Sequence, residues 1–303
     1  MLGCVPVDLR HLRSYVAVAE EGHIGRAAQR LFITQPALSR QIQQLEREIG
    51  APLLLRTARG VELTDAGQEL LARARVALEA AEDALAVGRL EEPRGRLALG
   101  LPLAGGSERW FGLVQAYVER YPAVDVQLRQ ALTEQLQDQL LAGELDGALG
   151  LAPRRLPALT YTHVHDEPLS VWLRADHPLA DRSELTLADL EGVRVTMVGG
   201  SGAERSGYNA AIRALFAQAG VEPHYVFTDQ LFPARAGIEP DYLGISGRHD
   251  FPPDVLSIPL VGPHTLPFEF VQRAGGNRAA VRAFAPFAAE HLAASCAADI
   301  PAT

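Results

Sequence analysis

The sequence predicts three parts in order: an all-α helix-turn-helix with a small wing, a long linker helix, and an α/β region. Three observations carry this prediction. Two helical patterns separated by a short break occur before residue 50. Leucines repeat every seven positions from Leu71 onward, and strand patterns alternate with helix patterns from Arg96. With 303 residues, the chain is long enough for two or three domains.

The helix-turn-helix is preceded by a capped amphipathic helix over Asp8 to Ala19. Residues Ile24 to Leu31 then carry apolar side chains at helical spacing, and a break follows at Phe32 and Ile33. Thr34 can cap a second helix, because its hydroxyl can accept a hydrogen bond from an unpaired N–H in the first turn.

The second helix has two chemically different faces. One is an apolar stripe at i, i+4, i+7 and i+11, which we expect to be buried: Leu38, Ile42, Leu45 and Ile49. Four side chains of the other face can donate and accept hydrogen bonds, and we expect them to read base edges: Gln35, Ser39, Arg40 and Gln43. The alternative is a solvated helix face in an ordinary bundle.

Two short extended pieces between Pro52 and Leu63 predict a small β wing. Arg56 and Arg59 lie in this wing, where guanidinium groups can contact phosphates, and Thr34 is a third expected phosphate contact.

A long helix is predicted from about residue 64 to Ala86. Its leucines and the alanines between them form a seam that is typical of a coiled coil and would allow close approach of a second copy: Leu71, Ala74, Leu78, Ala81 and Leu85. The alternative is that this face packs against its own domain.

The charge is unevenly distributed along the chain. Residues 1–60 contain eight arginines and five acidic residues, a net charge of +3, whereas residues 61–303 contain twenty arginines and thirty-two acidic residues, a net charge of −12. A basic N-terminal part on an acidic body is consistent with DNA binding. Because +3 is modest, affinity would depend on two or more such parts in one complex.

Segments along residues 8–67 resemble the LysR-type transcriptional regulators. The resemblance is carried by these segments: Tyr15–Gly22, Arg26–Leu31, Thr34–Ser39, Leu45–Gly50, Pro52–Leu53, Arg56–Thr57 and Leu63–Gly67. Three positions depart from the family pattern. The family usually has Ser where His23 stands, Thr or a similar residue where Gly25 stands, and an acidic residue where Leu55 stands.

The resemblance implies a winged helix-turn-helix over residues 8–66, a dimerising linker helix over 67–90 and a two-lobed α/β effector domain similar to periplasmic binding proteins. Lobe 1 would comprise residues 95–164 and 267–303, and lobe 2 residues 165–266. We also expect a cytoplasmic regulator without enzymatic activity or cofactor, because the sequence has no signal-peptide pattern, no disulfide framework and no nucleophile-elbow, P-loop or Rossmann motif. The expected partners are double-stranded DNA, further copies of the chain in a homodimer or dimer of dimers, a small-molecule effector and RNA polymerase. No apolar run reaches membrane-spanning length.

Ligands in such folds lie between the lobes, at the carboxyl ends of strands. The expected cleft residues follow strands or precede helices: Pro102, Leu103, Ala104, Thr133, Leu151, Ser201 and Gly202. The glycine-rich loop around Ser201 could hold an anion or could be an ordinary turn. Family members that bind small carboxylates can have Arg where Leu151 stands, so we expect a larger or more apolar effector here. A further departure from the family falls on residues 236–241, where a glycine turn into a strand is usual.

Two other functions remain open from the residues alone. His163 and His165 alternate along a predicted strand and so share a face, and with Asp166 and His177 they could hold a metal ion in an enzyme. The spacing is nonspecific and no cysteine accompanies them, so solvated or hydrogen-bonded histidines are the preferred interpretation. A stand-alone binding protein of the periplasmic type is the second alternative. The two cysteines, Cys4 and Cys296, provide no disulfide framework.

Overall fold

A computed structural model of the chain describes residues 8–57, 60–86, 92–103, 107–199, 206–228, 241–247, 254–276 and 278–298. The chain divides into two compact units. One contains the residues up to Leu90 with the short segments Leu141–Glu144 and Gly275–Arg278, and the other contains the remainder. None of the described helices is long and apolar enough to cross a membrane.

The N-terminal unit contains four helices and a two-stranded sheet among its described residues. They are α1 (Leu9–Glu21), α2 (Ile24–Arg30), α3 (Gln35–Ile49), β1 (Leu54–Thr57), β2 (Gly60–Leu63) and α4 (Asp65–Ala86). Helices α1 and α3 begin at the residues that the sequence predicts as caps. Asp8 caps α1, Thr34 Oγ1 accepts a 3.4 Å hydrogen bond from Ala37 N at the start of α3, and Gly50 ends α3 with φ +80°.

The predicted wing is confirmed as an antiparallel hairpin. Leu54 pairs with Leu63 and Thr57 with Gly60. The hairpin lies against the end of α1, because Val61 N donates to the carbonyl of Gly22 at 2.9 Å. A side chain at Gly60 would place its Cβ 2.3 Å from the same carbonyl oxygen, so this close approach requires glycine.

The described residues of the second unit form two five-stranded sheets. In chain order, the elements up to the first crossing between the sheets are β3 (Gly95–Pro102), α5 (Ser107–Arg120), β4 (Val124–Ala131), α6 (Thr133–Leu141), β5 (Gly147–Leu151) and β6 (Leu159–Pro168). The elements that follow are β7 (Ser170–Arg174), a 3₁₀ turn (Leu187–Leu190), β8 (Arg194–Val198), α7 (Gly207–Ala219), β9 (His224–Thr228), β10 (Tyr242–Ser246), β11 (Val255–Pro259), β12 (Thr265–Arg273) and α8 (Ala279–Ala298).

Both sheets are mixed, with three parallel strands and two further strands each. In the order β4-β3-β5-β12-β6, the first three strands are parallel and β12 is antiparallel to both of its neighbours. In the order β11-β7-β10-β8-β9, the last three are parallel and β7 is antiparallel to both of its neighbours. The chain passes from one sheet to the other after β6 and returns in β12, so two segments join them.

A β-bulge interrupts the pairing of β6 with β12. Phe268 pairs with His165, whereas the next residue, Glu269, pairs with His163. Val164 and His165 are therefore both buried, and His163 is exposed. The expectation that His163 and His165 share one face is wrong, because the extra residue shifts the alternation of the strand between them.

Candidate nucleic-acid interface and ligand cleft

A groove of about 150 Å³ lies between α3 and the wing. Two predicted base-reading residues, Ser39 and Gln43, line it from α3, and the predicted phosphate contact Arg56 lines it from β1. The remaining lining residues are Ile24, Ile42, Glu46, Leu54 and Val61. The lining thus places hydrogen-bonding side chains of a helix beside a cation on a strand, the two kinds of group that contact base edges and phosphates in a duplex, together with the carboxylate of Glu46.

Three predicted base readers, Gln35, Arg40 and Gln43, are exposed, and Ser39 is half-buried. Their presentation follows from burial of the opposite face, where Leu38, Ile42 and Leu45 lie in the core. Ile49, the last member of the predicted stripe, is 42% exposed, so the stripe ends one turn earlier than expected. The base-reading roles themselves stay predictions.

Thr34 and Arg56 are the predicted phosphate contacts that the structure describes. Thr34 uses its hydroxyl oxygen as the acceptor that caps α3, which leaves the O–H free to donate outward. Arg56 is exposed on β1. Arg59 lies outside the residues that the structure describes.

The departure at His23 has a local explanation. His23 is the N-cap of α2, and its Nδ1 accepts a 3.0 Å hydrogen bond from Gly25 N, so the imidazole takes the capping role of a hydroxyl. A Cβ at Gly25 would lie 3.0 Å from Cε1 of the same ring. The two departures from the family pattern are therefore structurally linked.

The exposed apolar face of the linker helix differs from the predicted coiled-coil seam. Ala74 (1% exposed) and Leu78 (8%) lie in the core of the N-terminal unit, with Leu71 packed against it, as the own-domain alternative describes. Ala81 is half-buried, and Leu85 is 72% exposed. The exposed apolar residues of α4 with described side chains are Val76, Ala77, Ala80, Ala84 and Leu85.

Several of the predicted cleft residues lie at one edge of the first sheet. Pro102 is the last residue of β3 and pairs with Ala131 at the end of β4, and Thr133 begins α6 directly afterwards. Leu103 is 39% exposed, whereas Leu151 at the end of β5 is only 2% exposed. Ala104, Ser201, Gly202 and residues 236–240 lie outside the described part of the chain, so their predicted roles are untested.

Helix α7 begins five residues after Gly202 and approaches the other sheet closely. Ser206 caps it, and a Cβ at Gly207 would lie 2.2 Å from the carbonyl oxygen of Ala152, directly after β5. Ala152 itself has φ +44°, an uncommon conformation for a residue with a side chain. The backbone of the second sheet's helix is thus in direct contact with the end of a strand in the first.

A buried ionic cluster that the sequence did not predict lies where the chain crosses between the sheets. Glu167, with a side chain 5% exposed, accepts hydrogen bonds from Arg109 Nη1 at 2.8 Å and from His165 Nε2 at 2.6 Å. Burial opposes ionisation, but the hydrogen bond from His165 and the charge of Arg109 outweigh it and lower the pKa of Glu167. The His165 ring stacks on Phe268 with centroids 5.0 Å apart.

The observed contacts do not bring together the side chains that the metal interpretation requires. His165 is engaged with Glu167, and His163 is on the exposed side, 3.6 Å from Asp166. Within the described ranges, His, Cys, Asp and Glu side chains form no group of three that could hold a metal ion.

Comparison with known proteins agrees with this architecture. Residues 9–68 match the family model for the bacterial regulatory helix-turn-helix protein of the lysR family, and residues 90–293 match that for the LysR substrate binding domain. HcaR, the Hca operon transcriptional activator of Escherichia coli, is 36% identical over 221 residues, covering 73% of this chain and 74% of that protein. AlsR of Bacillus subtilis is 38% identical over 188 residues, and this alignment covers 61% of the chain and 62% of AlsR, less than two thirds of its length.

Solved structures of similar fold include full-length OxyR from Pseudomonas aeruginosa, with a TM-score of 0.70 at 23% identity over 94% of both chains. Full-length CbnR in complex with its target DNA has a TM-score of 0.52 at 25% identity, covering 94% of this chain and 99% of CbnR. A winged helix-turn-helix, a linker helix and an α/β domain of two sheets occur in the same order as the two matched family models. The chain therefore belongs to the LysR family of bacterial transcriptional regulators.

Proposed function

We propose that this chain binds DNA sequence-specifically through α3 and the wing. The observation that carries the proposal is the groove that Ser39, Gln43 and Arg56 line together. Gln35, Ser39, Arg40 and Gln43 would read base edges in the major groove. Thr34, Arg56 and Arg59 would contact phosphates on either side and set the register of the helix.

We propose that the protein binds as a homodimer or dimer of dimers. The net charge of +3 in residues 1–60 gives one DNA-binding domain a modest electrostatic attraction, so pairing two domains would raise affinity by effective concentration. The exposed apolar residues of α4, from Val76 to Leu85, are the proposed contact between copies. This replaces the seam through Ala74 and Leu78, whose side chains are occupied in their own core.

We further propose that a small-molecule effector binds between the two sheets of the second unit. Support comes from the match to a substrate-binding family model and from the edge that Pro102, Leu103 and Thr133 share. Buried Leu151 provides no cation for a carboxylate, which favours a larger or more apolar effector. The chain would bind this molecule without transforming it, as the regulators it resembles act on transcription.

Effector binding would shift the geometry of the lobes or of the dimer. Such a shift would change DNA bending or contact with RNA polymerase, provided that the effector binds one arrangement more tightly than the other.

The test is selection of bound sequences from random DNA, with and without an extract of cytoplasmic metabolites. We expect enrichment of a near-palindromic site, because two recognition helices of a dimer would read two related half-sites. An extract-dependent footprint would support the effector proposal. No enrichment in either condition at low salt, where phosphate contacts are strongest, would contradict the DNA-binding proposal.

A further inference from the structure

Glu46 lies in the groove between α3 and the wing, although a carboxylate there would repel DNA phosphates. Its side chain is half-buried and lines the groove with Ser39, Gln43 and Arg56. A negative charge among proposed DNA contacts opposes binding through simple electrostatics. Its hydrogen bonds indicate a different contribution.

The Glu46 carboxylate holds the chain where it enters the wing. Its Oε1 accepts hydrogen bonds from Leu53 N at 2.9 Å and from Leu54 N at 3.3 Å. Charge-assisted hydrogen bonds of this kind are stronger than neutral ones. Leu54 is the first residue of β1, so a side chain of the recognition helix fixes the start of the first wing strand.

The same segment is fixed from its other side by the start of α4. Thr64 N donates to Leu53 O at 3.1 Å, and Thr64 Oγ1 donates to Pro52 O at 2.8 Å. A Cβ at Gly67 would lie 2.2 Å from Leu53 O, so the first turn of α4 is in close contact with this backbone. Residues 52–54 are thus held between two helices, and loss of Glu46 would release one side only.

Arg56 lies two residues beyond Leu54 and therefore on the same face of β1. A change in the tilt of β1 would move its guanidinium relative to Gln43 and Ser39. We propose that Glu46 is a positioning residue that fixes the wing against the recognition helix, so that Arg56 reaches a phosphate while α3 reads bases. This inference rests on the proposed DNA-binding function.

The test compares Glu46→Ala with Glu46→Gln in the full-length protein, on the DNA site enriched by selection. Both substitutions remove the charge, but glutamine retains an oxygen that can accept from both amides. Dissociation constants are measured at several salt concentrations, and circular dichroism checks folding. We expect the slope of log K against log salt to decrease in magnitude by about 1 for Glu46→Ala, the loss of one phosphate contact, and to stay unchanged for Glu46→Gln.

Two further variants make the assignment specific. Arg56→Ala should reduce the slope by the same amount, and the double variant Glu46→Ala/Arg56→Ala should reduce it no further, because both changes remove one contact. Glu62→Ala is the matched control, since Glu62 is an exposed carboxylate on β2 opposite Leu55. Removing its charge should strengthen DNA binding slightly.

A folded Glu46→Ala variant that binds as tightly as the wild type, or more tightly, would overturn the inference and leave the proposed function standing. Absence of any DNA binding by the wild type would overturn both. If Glu46→Ala does not fold, Glu46→Asp takes its place, because it keeps the charge but shortens the side chain. An unchanged slope in the aspartate variant, although the Leu53 and Leu54 amides have lost their protection in hydrogen exchange, would equally overturn the inference.

Discussion

His165 donates a 2.6 Å hydrogen bond to the carboxylate of Glu167, its neighbour but one on β6. An ionised carboxylate accepts only, so the tautomer with the proton on Nε2 of His165 makes this bond, and Arg109 Nη2 lies 3.2 Å from the same nitrogen. Both side chains are buried, and Arg109 on α5 completes the pairing of Glu167. A Cβ at Gly247, directly after β10, would lie 2.0 Å from Glu167 Oε1, so the second sheet contacts the same carboxylate.

Glu167→Gln should lower the free energy of unfolding at neutral pH by about 1–3 kcal/mol, because Arg109 loses its buried anionic partner. The pKa of Glu167 is below its ordinary value of 4.5 in the folded chain, so the unfolded chain binds the proton at higher pH. The carboxylate therefore contributes stability above pH 4.5 that is lost as the pH falls below it. Urea unfolding at several pH values should show the gap between wild type and variant closing in acid. Asp166→Asn, at an exposed neighbour, is the control and should leave stability unchanged.

Gly207→Ala should destabilise the second unit, because the added methyl group would overlap the carbonyl oxygen of Ala152. Backbone cannot yield as a flexible side chain does, so we expect a loss of about 1–3 kcal/mol in thermal unfolding. Gly112→Ala is the matched control on α5, where a Cβ meets nothing within 4 Å. There alanine should be neutral or stabilising by up to about 1 kcal/mol, owing to its higher helix propensity. Equal effects of the two substitutions would contradict the contact at Gly207.

Leu78→Ala and Ala80→Arg should separate folding from assembly. Leu78 is in the core, so its truncation should cost about 2–5 kcal/mol without changing the mass of the folded protein. Ala80 is exposed on α4, and an arginine there should leave unfolding unchanged but place unpaired charge in the proposed contact between copies. Light scattering should then report a smaller assembly for Ala80→Arg. An unchanged mass would place the contact elsewhere.

Arg40→Ala should weaken binding to the selected DNA site by about 1–3 kcal/mol while leaving binding to random DNA nearly unchanged, if the guanidinium reads a base. Anisotropy titrations on the two DNAs give the discrimination ratio directly. Arg10→Ala, which removes an exposed arginine paired with Asp8 on α1, is the control. If Arg40→Ala retains the wild-type ratio, Arg40 has no part in base recognition.

Local sequence signals predicted the elements of the N-terminal unit well, because their caps and turns depend on neighbouring residues. The Thr34 cap, the Asp8 cap and the wing hairpin are examples. The heptad of α4 was less informative. Leucines at seven-residue spacing satisfy the packing needs of an intramolecular core and of a dimer equally, and only the fold shows that Ala74 and Leu78 serve the former.

Long-range features of the second unit could not be predicted in this way. The interior position of β12, next to β5, joins residues more than a hundred positions apart, and no local pattern encodes such a pairing. The bulge opposite Phe268 and Glu269 could not be predicted either, because the sequence of β6 alternates like that of a regular strand. For the same reason the sequence did not single out Glu46 or Arg109. Glu46 bonds to backbone that follows a turn, and Arg109 bonds to a carboxylate on a strand that is distant in sequence.

The link between His23 and Gly25 restricts the order in which these positions can evolve. A threonine in place of Gly25 would bring its Cβ against the imidazole that caps α2, so the ring must shift by a few tenths of an ångström unless His23 has already changed. Replacing His23 with serine first restores a hydroxyl cap and vacates that space. The two positions should thus show epistasis, with relatives exchanging them as a pair and the Gly25→Thr intermediate that still carries His23 selected against.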